Sequence, residues 1–222
     1  MLKRIAMLSV AAMLVATGTA SAQKRVEVSV LAGWTFSDGV DGDGILAGNG
    51  QIYDTIEPKD SFNWGFGIGF LVGDNAEVGF LYGQQMSTLE VSGTTTTEVG
   101  DMNVNTYHGY FAYNFGGPQS PVRPYVLVGL GATNYGSVSF TGFNGAQFDT
   151  GSQTQFSTTW GAGIKFVGNS PIGARIGVRW TPTYIKTDAE GWWCDPWWGC
   201  YVVGDAQYSN QFEMSGGIML RF

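Results

Sequence analysis

The sequence contains little charge for its length. Of its 222 residues 13% are charged, whereas an ordinary soluble domain has about 25%. Basic residues are scarcer than acidic ones: the chain has 11 Lys and Arg but 18 Asp and Glu, and its net charge is −7. A nucleic-acid-binding protein needs a basic surface, so this balance argues against nucleic acid as a partner. We expect a medium other than bulk water around much of the molecule.

Cysteine and histidine, the usual residues of metal and redox sites, are also scarce. The cysteines are Cys194 and Cys200, and the single histidine is His108. Two cysteines without a nearby histidine make a poor zinc site, and their spacing differs from a CxxC redox motif. In an exported chain, two cysteines so close in sequence predict a local disulfide. The sequence therefore gives no indication of a metal or another cofactor.

Long apolar runs are missing too, since a transmembrane helix needs about 20 apolar residues. The main apolar run, 5–15, follows Lys3 and Arg4 and precedes an Ala-Ser-Ala sequence at 20–22. This order is typical of a secretory signal peptide, so we predict that residues 1–22 are cleaved and that 23–222 form the mature domain. Any membrane crossing by that domain is then expected to use strands.

Glycine and aromatic residues are abundant, with 34 Gly, 14 Phe, 10 Tyr and 8 Trp. Glycine weakens helices and aromatic residues favour strands, so this mixture predicts an all-β fold. Apolar and polar residues alternate with a period of two, as in strands with two unlike faces. The alternating segments are 26–37, 62–72, 77–85, 107–115, 125–132, 156–166, 172–180 and 212–222. Their polar faces carry mainly Gly and Ser, whereas a soluble sandwich would carry Lys, Glu and Thr.

The links between these segments alternate in length. Short turns lie at 73–75, 116–122 and 168–171, and long links lie at 38–61, 90–103, 136–152 and 186–206. Short periplasmic turns and long extracellular loops are typical of outer-membrane barrels. Because lipid offers no hydrogen bonds, the sheet must close. We predict an all-β, eight-stranded, antiparallel, up-and-down transmembrane β-barrel with both termini in the periplasm.

Several motifs resemble those of a known group, the small eight-stranded outer-membrane β-barrel proteins related to the transmembrane domain of outer-membrane protein A and the opacity proteins. The resemblance rests on Arg-Pro-Tyr-Val at 123–126, Trp-Gly-Ala-Gly-Ile-Lys at 160–165 and Arg-Ile-Gly-Val-Arg at 175–179. Phe222, with Leu220 and Ile218 at alternating positions, resembles the signal read by the barrel-assembly machinery. The resemblance implies a porin-like fold in the outer membrane of a Gram-negative-type cell, in contact with lipid and lipopolysaccharide.

Charged residues on the inward faces are expected to lie in the barrel lumen, where they are costly unless paired. We call these residues the lumen charge network: Glu27, Glu77, Arg123, Lys165, Arg175, Arg179, Glu213 and Arg221. We predict that their ion pairs block the lumen, because side chains can fill the interior of an eight-stranded barrel. The alternative is a narrow, weakly anion-preferring pore, since cations outnumber acids and the inward glycines leave space.

The predicted external links are strongly acidic, with fourteen Asp and Glu against only Lys59 and Lys186. Their glycine-rich stretch 38–44 lacks the spacing of a calcium loop, so a solvated loop is favoured over a cation site. The link 186–206 combines the predicted disulfide with aromatic residues at Trp192, Trp193, Trp197, Trp198 and Tyr201. Such rings stack on sugars and anchor interfaces. The alternative is that they pack on the barrel rim or lie at headgroup level.

His108 is the one candidate for a catalytic base, but its neighbours in sequence supply neither a serine nor a carboxylate on the same face. We therefore predict a protein that is not an enzyme. The favoured function is a structural, surface-presenting barrel. The alternatives are a narrow channel for ions or small solutes, and adhesin-like binding of a glycan or another surface ligand by the Trp-rich link.

Overall fold

The computed structural model describes residues 25–46, 52–93, 95–117, 120–141, 147–149, 151–168, 170–185, 194–195, 199–200 and 207–222. Within these ranges the regular structure is entirely β. The strands are β1 (Val26–Ser37), β2 (Val40–Leu46), β3 (Ile52–Pro58), β4 (Ser61–Val72), β5 (Ala76–Gly93), β6 (Thr97–Asn114), β7 (Val122–Tyr135), β8 (Ser139–Thr141), β9 (Gln147–Asp149), β10 (Gln153–Phe166), β11 (Ile172–Ile185), β12 (Cys194–Asp195), β13 (Gly199–Cys200) and β14 (Gln207–Arg221).

Eight of these strands close a barrel. Each pairs antiparallel with its neighbours in the order β1, β4, β5, β6, β7, β10, β11, β14, and β14 returns to β1 with Val28 opposite Leu220. The shortest has 12 residues and the longest 18, against the 9–11 or so that a tilted strand needs to cross a bilayer. The predicted eight-stranded barrel is confirmed. In the described part of the chain, no helix is long and apolar enough to cross a membrane.

The outer surface of the barrel is apolar, as the alternation predicts. Val30, Leu130 and Ile218 are each more than 60% exposed. In the segment 125–132, where the two faces differ least in polarity, Tyr125 is buried while Leu130 points outward. The apolar residues of the strands therefore form the surface that a lipid bilayer would cover.

One end of the barrel, which we call the turn end, carries the first described residues, the C-terminal Phe222 and the short turns. There the Val26 N–H donates to the Phe222 carbonyl and the Phe222 N–H donates to the Val26 carbonyl, at 3.2 and 2.9 Å. The opposite end, which we call the hairpin end, carries the hairpin β2–β3. In that hairpin β3 pairs with the far half of β5, where Ile56 lies opposite Val91.

All four predicted long links contain strands among their described residues. The link 90–103 belongs to β5 and β6, which continue to Gly93 and restart at Thr97, and the link 38–61 contains β2 and β3. The links 136–152 and 186–206 contain the short pairs β8–β9 and β12–β13. The physical reason for the first two is an apolar cluster under their strands. It consists of Leu89, Met102, Val104, Tyr135, Val138 and Ile185, with Val40, Ile56 and Val99 packed against it.

Large side chains occupy the space beside several inward-facing glycines. A Cβ atom at Gly79 would lie 2.7 Å from the ring of Tyr110, and one at Gly163 would lie 2.6 Å from the hydroxyl of Tyr125. Both distances are too short for real contacts, so these positions need glycine. Here the glycines make room for tyrosine rings from the neighbouring strand, since Tyr110 is paired with Gly79 and Tyr125 with Gly163, and they do not leave open space.

Candidate functional site in the barrel lumen

The first layer of the lumen, near the turn end, is centred on Lys165 of β10. Its Nζ atom lies 2.5 Å from Oε2 of Glu27 on β1 and also contacts Oε2 of Glu77 on β5. These three side chains are at most 3% exposed. Tyr110 donates its hydroxyl to Oε1 of Glu77 at 2.5 Å, and Asn114 donates its amide to Oε2 at 3.1 Å. The structure thus brings three members of the lumen charge network together from distant parts of the chain.

The remaining cations of this layer have other contacts. Nε of Arg221 lies 3.7 Å from Oε1 of Glu27, and Arg123 donates to the carbonyl of Asp74 at 3.0 Å. Arg175 donates its Nε to the Tyr125 hydroxyl at 2.9 Å and stacks on that ring, 4.5 Å from its centroid. Within the described residues, neither Arg123 nor Arg175 has a carboxylate within ion-pair distance.

A second ion pair lies inside the barrel, farther from the turn end, between Arg179 and Glu213 on two adjacent strands. The two residues lie directly opposite each other on β11 and β14, and the Arg179 guanidinium contacts Oε2 of Glu213. Ser215 donates to Oε1 of the same carboxylate at 2.8 Å. This register follows from the pairing of strands that are adjacent in the barrel.

Two small cavities of about 20 Å³ each share this ion pair as part of their lining. We call the first the arginine cavity, because Arg175 and Arg179 both line it. The second is lined by amide and hydroxyl side chains that include Asn63, Gln85 and Gln211. A space of this size holds about one or two water molecules.

A third layer contains His108 in a hydroxyl-rich network. Its Nε2 atom lies 2.9 Å from Oγ of Ser157, which accepts a hydrogen bond from Thr133 at 3.0 Å. Thr183 in turn donates to Thr133 at 3.0 Å. All four side chains are fully buried.

Sequence reasoning did not find Ser157 beside His108, because the two lie 49 positions apart and meet only through the barrel pairing. A serine–histidine contact is one element of a nucleophilic site. The Nδ1 atom of His108 has no hydrogen-bond partner among the described residues, so no described carboxylate orients the ring as in a Ser-His-Asp triad. The contact fits a buried polar layer.

The predicted external residues are only partly described. Trp192, Trp193, Trp197, Trp198 and Tyr201 lie outside the described residues. The backbone of β12 and β13 places Cys194 opposite Cys200, and the disulfide between them stays a prediction. Among the residues described, no cluster of three or more His, Cys, Asp or Glu could hold a metal ion.

At the hairpin end, Lys59 joins two acidic residues. Its Nζ atom lies 3.0 Å from Oε1 of Glu90 on β5 and 2.6 Å from Oε1 of Glu98 on β6. Partial burial, together with the nearby charges of Glu90, Asp60 and Asp38, raises the pKa of Glu57 above its ordinary value. The acids in this part of the chain therefore repel one another except where Lys59 pairs with them.

The comparisons with known proteins agree with this architecture. The sequence model of a family described as "Outer membrane protein beta-barrel domain" matches residues 5–213. Among curated proteins no match is found.

Solved structures with a similar fold include three outer-membrane proteins. Neisserial surface protein A is 16% identical, with a TM-score of 0.56 over 89% of this chain and 97% of its own. OprG from Pseudomonas aeruginosa is 12% identical, with a TM-score of 0.57 over 90% and 97%. AlkL is 15% identical, with a TM-score of 0.55 over 93% and 94%. At such identities the likeness concerns the fold alone.

Proposed function

Because this chain belongs to the outer-membrane protein β-barrel domain family, we propose that it is a closed, surface-presenting barrel of the outer membrane. In this proposal the turn end faces the periplasm and the hairpin end faces outward, among the lipopolysaccharide headgroups. The lumen charge network blocks the passage between them. The observation that carries the proposal is the position of Lys165, buried between Glu27 and Glu77.

Electrostatics supports a closed lumen. A charge inside a narrow barrel is stabilised only when it is paired and hydrogen-bonded, and breaking one buried pair is strongly unfavourable. Glu77 has Lys165, Tyr110 and Asn114 as partners at once. Opening a path through this layer would separate these groups, so the closed arrangement is the favoured one.

Packing supports the same conclusion. Leu81, Tyr110, Ala112, Tyr125 and Leu127 form a buried apolar cluster within the barrel. The Arg179–Glu213 pair lies farther from the turn end, and both cavities that it lines have room for only about one or two waters. A solute or a hydrated ion would have to displace several side chains to pass.

Single-channel recording in a planar bilayer tests this proposal on the refolded mature chain. The unmodified barrel is expected to show no stable openings. The double variant Arg179→Ala/Glu213→Ala, which removes the second ion pair, is expected to show more frequent current fluctuations. Lys59→Ala serves as the control, because it removes a cation outside the lumen. Reproducible openings of the unmodified, correctly folded barrel would contradict closure and favour the narrow pore.

Surface binding by the Trp-rich link is a second candidate, favoured by the register that places Cys194 opposite Cys200. A disulfide at this position would hold the aromatic residues between and beside the cysteines in one short loop. Replacing Trp192, Trp193, Trp197 and Trp198 by Ala is expected to abolish binding to immobilised glycans while the barrel stays folded. Equal binding by this variant and the unmodified protein would reject the candidate.

A further inference from the structure

The charges that face the lumen do not balance. Three carboxylates, Glu27, Glu77 and Glu213, stand against five cations in the lumen charge network. A buried, uncompensated positive charge is unfavourable, and a protein usually places a counter-charge nearby. Arg175, which is 5% exposed and lines the arginine cavity, forms no ion pair with any described carboxylate. Glu77 is close enough to act on Arg175 electrostatically, but it is already in contact with Lys165.

From this arrangement we infer that the arginine cavity binds a single halide ion, with chloride as the natural ligand. Arg175 and Arg179 reach it from two inward positions of β11, with the inward Gly177 between them. Tyr125 and Ser215 contribute hydroxyl groups to the lining. An anion here would reduce the excess positive charge of the interior.

Several donors remain free to face this ion. Arg175 uses only its Nε in a hydrogen bond, to Tyr125, so its Nη groups are without a partner among the described residues. Nε of Arg179 is buried and also has no partner there. A buried donor of a guanidinium is normally satisfied, so the unpartnered Nε of Arg179 indicates a missing acceptor.

Glu213 also lines the cavity and would repel an anion. Its two oxygens are already engaged, one by Arg179 and the other by the hydroxyl of Ser215. The cations that line the cavity outnumber the acids by two to one. The balance therefore still favours an anion.

The size of the cavity favours a small anion. A space of about 20 Å³ accepts one or two water-sized particles. A chloride or bromide ion is only slightly larger than water, whereas sulfate and phosphate are larger and more strongly hydrated. The apolar walls of Leu81 and Leu127 suit a weakly hydrated halide better than a strongly hydrated anion.

Thermal unfolding of the refolded barrel in detergent tests this site. Unfolding temperatures are compared in sodium chloride, bromide, sulfate and gluconate at equal ionic strength. Because a ligand that binds only the folded state stabilises it, chloride and bromide are expected to raise the unfolding temperature by about 2–4 °C over gluconate and sulfate. Equal temperatures in all four salts would mean that water alone fills the cavity, and the inference would be wrong. An equal rise in sulfate would mean general screening and would overturn it as well.

Arg175→Gln is expected to remove the difference between chloride and gluconate. Arg123→Gln is the matched control, because Arg123 is an equally buried cation of the same barrel that donates to the Asp74 carbonyl and does not line the cavity. A halide effect that survives in Arg175→Gln would assign it to another site and refute this one.

Bromide soaks of crystals of the unmodified protein provide a readout that does not depend on whether the variants fold. The expected result is an anomalous peak beside Arg175 and Arg179, and the absence of a peak there would overturn the site. Halide binding does not require a conducting lumen. A negative result for the halide site can therefore be distinguished from a negative result for the closed lumen.

Discussion

Lys165 occupies a position where one ammonium group contacts two carboxylates, Glu27 and Glu77, within a layer that is almost inaccessible to solvent. Without it, two negative charges would face each other in a medium of low polarity. Glu77 has no other cation within ion-pair distance among the described residues, and the second cation near Glu27, Arg221, is 3.7 Å away. Lys165 is therefore the main counter-charge of both carboxylates.

Lys165→Met preserves most of the side-chain volume and removes the charge. We expect it to lower the free energy of unfolding by about 3–5 kcal/mol, the usual cost of leaving a buried charge without its partner. Urea unfolding in detergent, followed by tryptophan fluorescence, measures the change. Lys59→Met is the control, because Lys59 is 47% exposed and surface ion pairs contribute little. Similar losses in both variants would contradict the assigned role of Lys165.

The strand β11 contains Pro182, which lies in the barrel wall near the C-terminal end of the strand. Its pairing with β10 is interrupted between the pairs Ser157–Thr183 and Trp160–Trp180. Proline has no N–H to donate, so it removes one ladder hydrogen bond. The residue that faces it by register is Thr158. The seam between β10 and β11 is therefore weaker here than elsewhere along the same pair.

Pro182→Val is expected to stabilise the barrel by about 0.5–1.5 kcal/mol, because the new N–H can complete the ladder. The thermal unfolding temperature in detergent measures the gain. Pro182→Ala provides the comparison, because it restores the same N–H with a smaller side chain. A gain in Pro182→Val that Pro182→Ala lacks would show that the effect comes from the side chain and not from the restored hydrogen bond.

The hairpin β2–β3 is a second element, and repulsion between its acidic residues affects its stability. Glu57 of β3 has a raised pKa because of its partial burial and the nearby charges of Glu90, Asp60 and Asp38. An acid whose pKa is raised by folding destabilises the folded form when it is ionised. This destabilisation is absent below the ordinary pKa of 4.5 and is complete above the raised pKa.

Glu57→Gln is therefore expected to increase the hydrogen-exchange protection of the β3 backbone amides at pH 7. Below about pH 4.5 the variant and the unmodified protein should show the same protection, since the side chain at position 57 is then neutral in both. Glu98→Gln is the control, because it removes a partner of Lys59 and leaves the charges that act on Glu57 in place. A gain of equal size at both pH values would show that the repulsion is not the cause.

For the whole molecule, the proposed orientation places the two ends of the barrel on opposite sides of the membrane. Thr96→Cys introduces a thiol at the hairpin end, between β5 and β6, and Gly117→Cys introduces one at the turn end, where an added Cβ meets no atom within 4 Å. A membrane-impermeant maleimide applied to intact cells is expected to label the first variant and not the second. Permeabilised outer membranes should allow both to react. Labelling of Gly117→Cys alone in intact cells would reverse the orientation.

The sequence by itself determined the fold of this protein. A strand turns successive side chains to opposite faces, so a period of two reveals strands wherever one face meets lipid and the other meets the lumen. The alternation correctly places Tyr110, Tyr125 and Leu127 on the inward face, where they are buried. The links 38–61 and 90–103 were exceptions, because the apolar cluster under their strands draws its residues from six strands and from the connecting chain near Val138.

Only the tertiary structure decided which inward residues meet. Lys165 and Glu27 are 138 positions apart, and His108 reaches Ser157 from two strands away around the barrel. Alternation places a residue on a face but gives neither its height nor its neighbours across the lumen. Those follow from the stagger and closure of all eight strands together, which is a property of the barrel and not of any one segment.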